Sequence, residues 1–252
     1  MKKSSNKISK KVDPSGGVHP WRICPTGQHW VRAHPLKTPR SRKNPAGGLT
    51  IRHGHCASNP TGKDRLYPDE IQGIGERNFS ELKVKPCSID LGFTQKYRGD
   101  KYDDLIAGWT KYWNEVFRPD ISLSSNIVKA LIASESGFNP RRLANIKNKN
   151  SARGLMQVTN STRRVLGDEG GELKDHYLTL TREDLNDPSN NICAGIRWLF
   201  RKRAIASEVL GRAASWEDAV AEFKGARTAT EARAKKLMER FHQYLERLNK
   251  CE

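Results

Sequence analysis

The chain has 252 residues, 36% hydrophobic and 29% charged, which is enough for one large domain or two small ones and too apolar for wholesale disorder. No apolar run approaches the roughly 20 residues that a membrane-spanning helix needs. Lys and Arg total 45 against 28 Asp and Glu, a net charge of +17, and residues 1–98 carry 19 basic and 7 acidic side chains while residues 99–252 carry 26 and 21. An excess of this size attracts polyanions, whether nucleic acid, anionic lipid surfaces or the anionic polymers of bacterial envelopes.

Residues 1–18, rich in Lys, Ser, Asn and Gly, read as a flexible basic tail. The tail has the charge of a secretory leader but no apolar stretch behind it, so no cleavable signal peptide is expected. Residues 19–98 are rich in Pro, Gly, His, Arg and Cys and lack helical periodicity. Two strand-like runs, 29–34 and 49–53, flank the loop PLKTPRSRKNPAGG and predict a small β-rich basic module. Paired as a hairpin, the runs would gather Cys24, His34, His53 and Cys56 into a mixed zinc set, with His19, His29 and His55 nearby. The alternative is that Cys24 and Cys56 pair with each other or stay reduced. Five cysteines are an odd number, so one is left over in a monomer. Trp21 and Trp30, with Arg22, Arg32, Arg40, Arg42 and Lys43, predict an aromatic–basic surface suited to sugar rings and anionic envelope polymers, with nucleic acid as the less favoured partner.

From residue 99 the texture becomes helical. Apolar residues recur at helical spacing through 100–117. Ser124 and Ser125 offer caps for a helix through 135, and Asn160 and Ser161 for one through 167. Pro188 suits the first turn of a long helix reaching 210. Ser215 and Asp218 form a shortened capping box for 216–225, and a last helix spans 230–250. With no credible strand, residues 99–252 are expected to form an all-α domain.

Glu135 is out of place in this pattern. It extends the apolar face of Val128, Leu131 and Ile132, four residues after Leu131. Burial favours the neutral form of a carboxylate, the form that a general acid for glycosidic cleavage needs. The plain alternative is a side chain that protrudes into solvent where the helix ends.

The surroundings of Glu135 carry a resemblance. The segments ALIASESGFNP, SARGLMQVTNST and DPSNNICAGIRWL follow one another in order. Together they resemble the SLT domain of the lytic transglycosylases, over about residues 100–225. The resemblance implies a mostly α, lysozyme-like catalytic domain that cuts the MurNAc–GlcNAc β-1,4 bond of peptidoglycan with formation of 1,6-anhydro-MurNAc. It makes Glu135 the single acid/base and requires no cofactor. It places Ser136, Gly154, Leu155, Met156, Gln157, Asn191 and Phe223 along the glycan groove, with Ile192, Ile196 and Leu199 in the core. It also implies action on the cell wall, in the periplasm or outside the cell, with delivery by a route other than a visible leader.

The sequence departs from the family in two places. Where many members have a tyrosine followed by asparagine, this chain has Phe223 and Lys224, and Tyr112 or Tyr177 is the candidate to replace the lost hydroxyl. A serine common past the glutamate is absent, with Asn145 or Ser151 as stand-ins. If Asp168, Glu169, Glu172, Asp175 or Asp184 faced Glu135, hydrolysis of the lysozyme type would become the reaction. The remaining alternative is a non-catalytic binding protein on a lysozyme-like scaffold.

Overall fold

A computed structural model of the chain describes residues 21–148 and 150–251. The tail expected at 1–18 and His19 lie outside them. The first described segment is one bent antiparallel hairpin. Its base pairs β1 (Gln28–Val31) with β4 (His55–Ser58), and its distal half pairs β2 (His34–Thr38) with β3 (Gly48–Arg52). The Cys24–Cys56 disulfide closes the base. The expected zinc set therefore does not form, because both sulfurs that would ligate the metal are bonded to each other. Among the described residues no group of three or more His, Cys, Asp and Glu is placed to hold a metal ion.

The aromatic–basic surface is smaller than expected. Trp21 packs inward, 5.7 Å from the Phe79 ring and 6.1 Å from that of Tyr112. Arg22 is buried in ion pairs, and Arg32 pairs with Glu76 at 2.8 Å.

Helix α1 (Pro68–Asn78) follows, a helix that the β-rich expectation missed. The six expected helices are all present as α2 (Asp103–Phe117), α3 (Ser125–Ser136), α4 (Asn160–Gly167), α5 (Pro188–Leu210), α6 (Trp216–Phe223) and α7 (Glu231–Asn249). Their ends obey local chemistry. Ser124 caps α3, Asp187 caps α5 with Pro188 in the first turn, and Ser215 and Asp218 form the capping box of α6. For α4 the cap is Thr159 rather than Asn160 or Ser161.

The long helix α5 is the axis of the domain, and α1, α2, α4 and α6 pack against it while α7 covers α3. Ile106, Trp109, Trp113 and Val116 line the buried stripe of α2. Two indoles of that stripe also hydrogen-bond to α5: Trp109 Nε1 donates to Ser189 Oγ at 2.9 Å, and Trp113 Nε1 to the Cys193 carbonyl at 3.0 Å. A buried indole N–H needs such a partner.

Two findings add to the helical reading of residues 99–252. A short strand, β6 (Tyr177–Leu178), pairs in parallel with β5 (Arg65–Leu66). The core also runs across residue 98, since Leu66, Ile71, Ile74, Phe79 and Leu91 belong to the same apolar cluster as the later helices. A second disulfide joins Cys87 to Cys251 at the end of α7, leaving Cys193 free and buried. No helix is long and apolar enough to cross a membrane among the described residues.

One buried charge pair makes the fold sensitive to pH. Lys129 Nζ donates to Asp103 Oδ1 and to the Cys87 carbonyl, both at 2.7 Å. Burial pushes the Asp103 carboxyl up to about 6, although the Lys129 ammonium pulls the other way. A carboxyl raised in the folded state binds its proton more tightly than in the unfolded chain. Its contribution is therefore full below its ordinary value of 3.8 and is lost as pH rises through about 6. Denaturant titrations across that window should show Asp103→Asn losing less stability between pH 4 and 7 than the wild type. Equal losses would show that Asp103 does not titrate there.

Candidate active site

The buried face of α3 (Val128, Leu131 and Ile132) anchors the helix in the core, and its last turn emerges at Glu135. Gly137 then ends the helix at φ 59°, a left-handed conformation that suits glycine. Glu135 is partly buried, with 19% of its side chain exposed. Lys224, at the C-terminal end of α6, reaches it: Nζ lies 2.5 Å from Glu135 Oε1 and 3.2 Å from Ser134 Oγ. The lysine side chain is 7% exposed, so the contact is a charge-assisted hydrogen bond largely withdrawn from water.

Neither tyrosine expected to replace the family hydroxyl does so. Tyr112 is fully buried among Trp21, Trp109 and Trp113, and the Tyr177 hydroxyl donates to the Leu173 carbonyl at 3.1 Å. The group against Glu135 is the neighbour of Phe223, a lysine that the sequence reading treated only as a lost asparagine. Only the fold, which brings the end of α6 to the end of α3, places it there.

The motif segments meet as expected from their order, but mostly as an internal joint. The Asn191 amide accepts from Met156 N at 2.8 Å and donates to the carbonyls of Arg153 at 3.0 Å and Leu185 at 2.9 Å. Gly154 has φ +76°, and a Cβ there would lie 2.2 Å from Asn191 Nδ2. A Cβ on Gly195 would lie 2.4 Å from the Met156 sulfur. The glycines thus admit the Asn191 and Met156 side chains at close approach.

Leu155, Met156 and Asn191 have no exposed surface, and Ser136 is buried with its hydroxyl bonded to the Ile132 carbonyl. The side chains of these four are interior and spend their hydrogen bonds inside the protein. Gly154 is buried in the same joint. Gln157 and Phe223 are part-exposed; the Gln157 amide donates to the carbonyls of Gly154 and Arg142 at 2.8 and 3.1 Å and sits at φ 48°, a strained backbone for a non-glycine residue.

The other candidates are engaged elsewhere. Ser151 Oγ accepts from Asn145 N at 2.6 Å, which closes the loop that enters the Gly154 segment. Asp168 caps its own turn at Gly170, and Glu169 accepts from Thr61 and Arg65. Glu172 pairs with Arg201, Asp175 with Arg197, and Asp184 accepts from Thr181 N. A cavity of about 840 Å³ lies between α2 and the N-terminal end of α3. Ten residues of helix, about 15 Å, separate that end from Glu135, so cavity size does not mark this site.

A mostly α, lysozyme-like fold preceded by a small β module, with a glutamate at the exit of a core helix, defines a class of glycan-directed domains. Residues 120–238 match the family model described as the transglycosylase SLT domain. No curated protein matches the chain. The domain supports transglycosylase-type action on peptidoglycan, at the cell wall.

The internal joint is testable. Asn191→Ala would strand one buried N–H and two carbonyls and should cost about 3 kcal/mol in urea denaturation. Unchanged stability with a raised KM would instead restore Asn191 to the glycan groove.

Proposed function

We propose that the domain cleaves the MurNAc–GlcNAc bond as a lytic transglycosylase, with Glu135 as its single acid/base and 1,6-anhydro-MurNAc as product. The observation that carries the reading is Glu135 itself, a half-buried carboxylate at the end of a core helix inside the SLT match, with Lys224 as its hydrogen-bonding partner. Among the described contacts Glu135 pairs with no carboxylate, and the five acidic candidates bond other residues. That favours an intramolecular nucleophile over a base-activated water. The 6-hydroxyl of the same sugar has the high effective concentration that makes a second carboxylate unnecessary.

Lys224 supplies the proton that Glu135 must hold before the first step. A bound glycan strips water from the pair, and charge separation becomes costly in the dried site. Proton transfer from Nζ to the carboxylate then gives a neutral acid beside a neutral amine. Glu135 protonates the leaving oxygen as the C1–O bond breaks. Its carboxylate next takes the proton of the 6-hydroxyl as that oxygen bonds to C1, and the proton returns to Lys224 when product leaves. No cofactor enters the cycle.

Mass analysis of muropeptides released from sacculi tests the reaction. Wild type should release products one water lighter than reducing ends, and Glu135→Gln should release none while melting normally. Reducing ends would replace the reading with hydrolysis; no release by wild type would favour a binding role. The lysine has its own signature. A guanidinium does not give up its proton, so Lys224→Arg should lose turnover by about a hundredfold or more, while Lys224→Met retains more of it. An active Lys224→Arg enzyme would remove the proton-donor role and leave Lys224 a positioning cation.

A further inference from the structure

The distal half of the hairpin, β2 and β3, stands apart from the core. All five residues of β3 and three of the five in β2 are exposed. The register pairs Pro35 with Ile51 and Lys37 with Leu49, so these four side chains share one face. Leu49 is 71% exposed and Ile51 65%, unusual for large aliphatic residues on a strand. Leu36, 41% exposed, lies on the opposite face.

The same arm carries Lys37, Arg40, Arg42, Lys43 and Arg52, all exposed. None of the five has an ion-pair partner among the described residues, and the sequence contains no Asp or Glu between Asp13 and Asp64. Buried cations at the core are paired, as Arg22, Arg65 and Lys129 are. On this projection, five cations without an ion pair lie on the same two strands and turn as two exposed aliphatic side chains of one face. Five-residue strands carry it about 17 Å from its base, far enough to engage a surface that the helical body does not touch.

A polyanion dissolved in water would satisfy the cations and leave Leu49 and Ile51 wet. An anionic bilayer satisfies both, with phosphates at the level of the cationic turn and the acyl boundary just below for the aliphatic face. The two outer edges of the ribbon keep their unpaired backbone groups, which holds the arm in the hydrated headgroup layer rather than in the hydrocarbon. We propose that the β2–β3 hairpin docks the protein on an anionic phospholipid surface through the Leu49–Ile51 face and the Lys37/Arg40/Arg42/Lys43/Arg52 cluster. This inference stands apart from the glycan-cleaving reading.

Vesicle flotation of the full chain tests it, with equimolar phosphatidylglycerol and phosphatidylcholine against phosphatidylcholine alone. Wild type should bind the anionic vesicles at least about tenfold more tightly, and added salt should weaken the binding. Reversing the turn charges, Arg40→Glu with Arg42→Glu and Lys43→Glu, should lower affinity by about fivefold or more per cation. Leu49→Ser with Ile51→Ser should also lower it about tenfold, without changing the melting temperature, because neither residue is in the core. Duplex DNA supplies phosphates without an apolar phase. Equal binding to both vesicle types, or vesicle binding unaffected by the serine pair, would overturn the proposal; so would DNA binding as tight as vesicle binding.

Discussion

A single buried guanidinium holds the seam between the hairpin and the helical domain. Arg22 donates to Glu70 at 2.8 Å and to the Gln28 carbonyl at 2.6 Å, and it pairs with Asp64. Asp64 in turn bonds His176 Nδ1 at 2.7 Å, one residue before β6. One side chain thereby links the base of the hairpin, the entry to β5, the first turn of α1 and the segment that completes the parallel pair. Burial drives the Glu70 carboxyl up and the Arg22 charge opposes that shift. Removing the guanidinium would leave two acids facing each other out of water, the situation in which a buried ion pair matters most. The Cys24–Cys56 disulfide, two residues along, fixes the same corner. The consequence is a division of labour within the first hundred residues: the base of the hairpin and α1 belong to the scaffold, while only β2, β3 and their turn are free to act as an arm.

The elements that could be read from the sequence are those whose information is local. Helices α2 to α7 carry their own apolar stripe and, at several starts, their own cap, so periodicity and capping place them within a few residues. Helix α1 carries little of either. Its sequence, PDEIQGIGERN, has two glycines and only two isoleucines, and it holds together because Ile71 and Ile74 are buried in a core supplied by distant residues. Gly108 of α2 admits the Phe79 ring just beyond α1; a Cβ there would lie 2.2 Å from that ring. Strand β6 has two residues, and its partner is more than a hundred positions away, so no pattern within its own window could announce it.

The candidate site divides in the same way. Glu135 was visible because a carboxylate on an apolar helical face conflicts with its surroundings, and that conflict is local. The motif segments were visible as segments, but sequence order does not tell which way a side chain points. The Gly154–Gln157 stretch and Asn191 prove to bond each other, with Leu155 and Met156 facing inward. Lys224 lay beyond reach because only the approach of the α6 end to the α3 end, 89 positions apart, brings its ammonium to Glu135.

That approach changes the electrostatic problem the proposed active site must solve. A tyrosine hydroxyl beside a glutamate donates a hydrogen bond and adds no charge, so the pair remains an anion. An ammonium makes the pair neutral overall, and its ionised and neutral forms differ only in the position of one proton along a short hydrogen bond. In water the ionised form is favoured, because both charges are solvated. A dry site withdraws that solvation, while the Coulomb attraction between the two charges grows as the dielectric falls, so the balance depends on how completely water is excluded. Glycan binding would then act on catalysis by drying the pair as well as by placing the scissile bond. On the proposed mechanism Lys224 would make that coupling a property of this chain, since an ammonium that gives its proton to the glutamate leaves two neutral groups, whereas a tyrosine hydroxyl that did so would leave a phenolate and keep the pair charged.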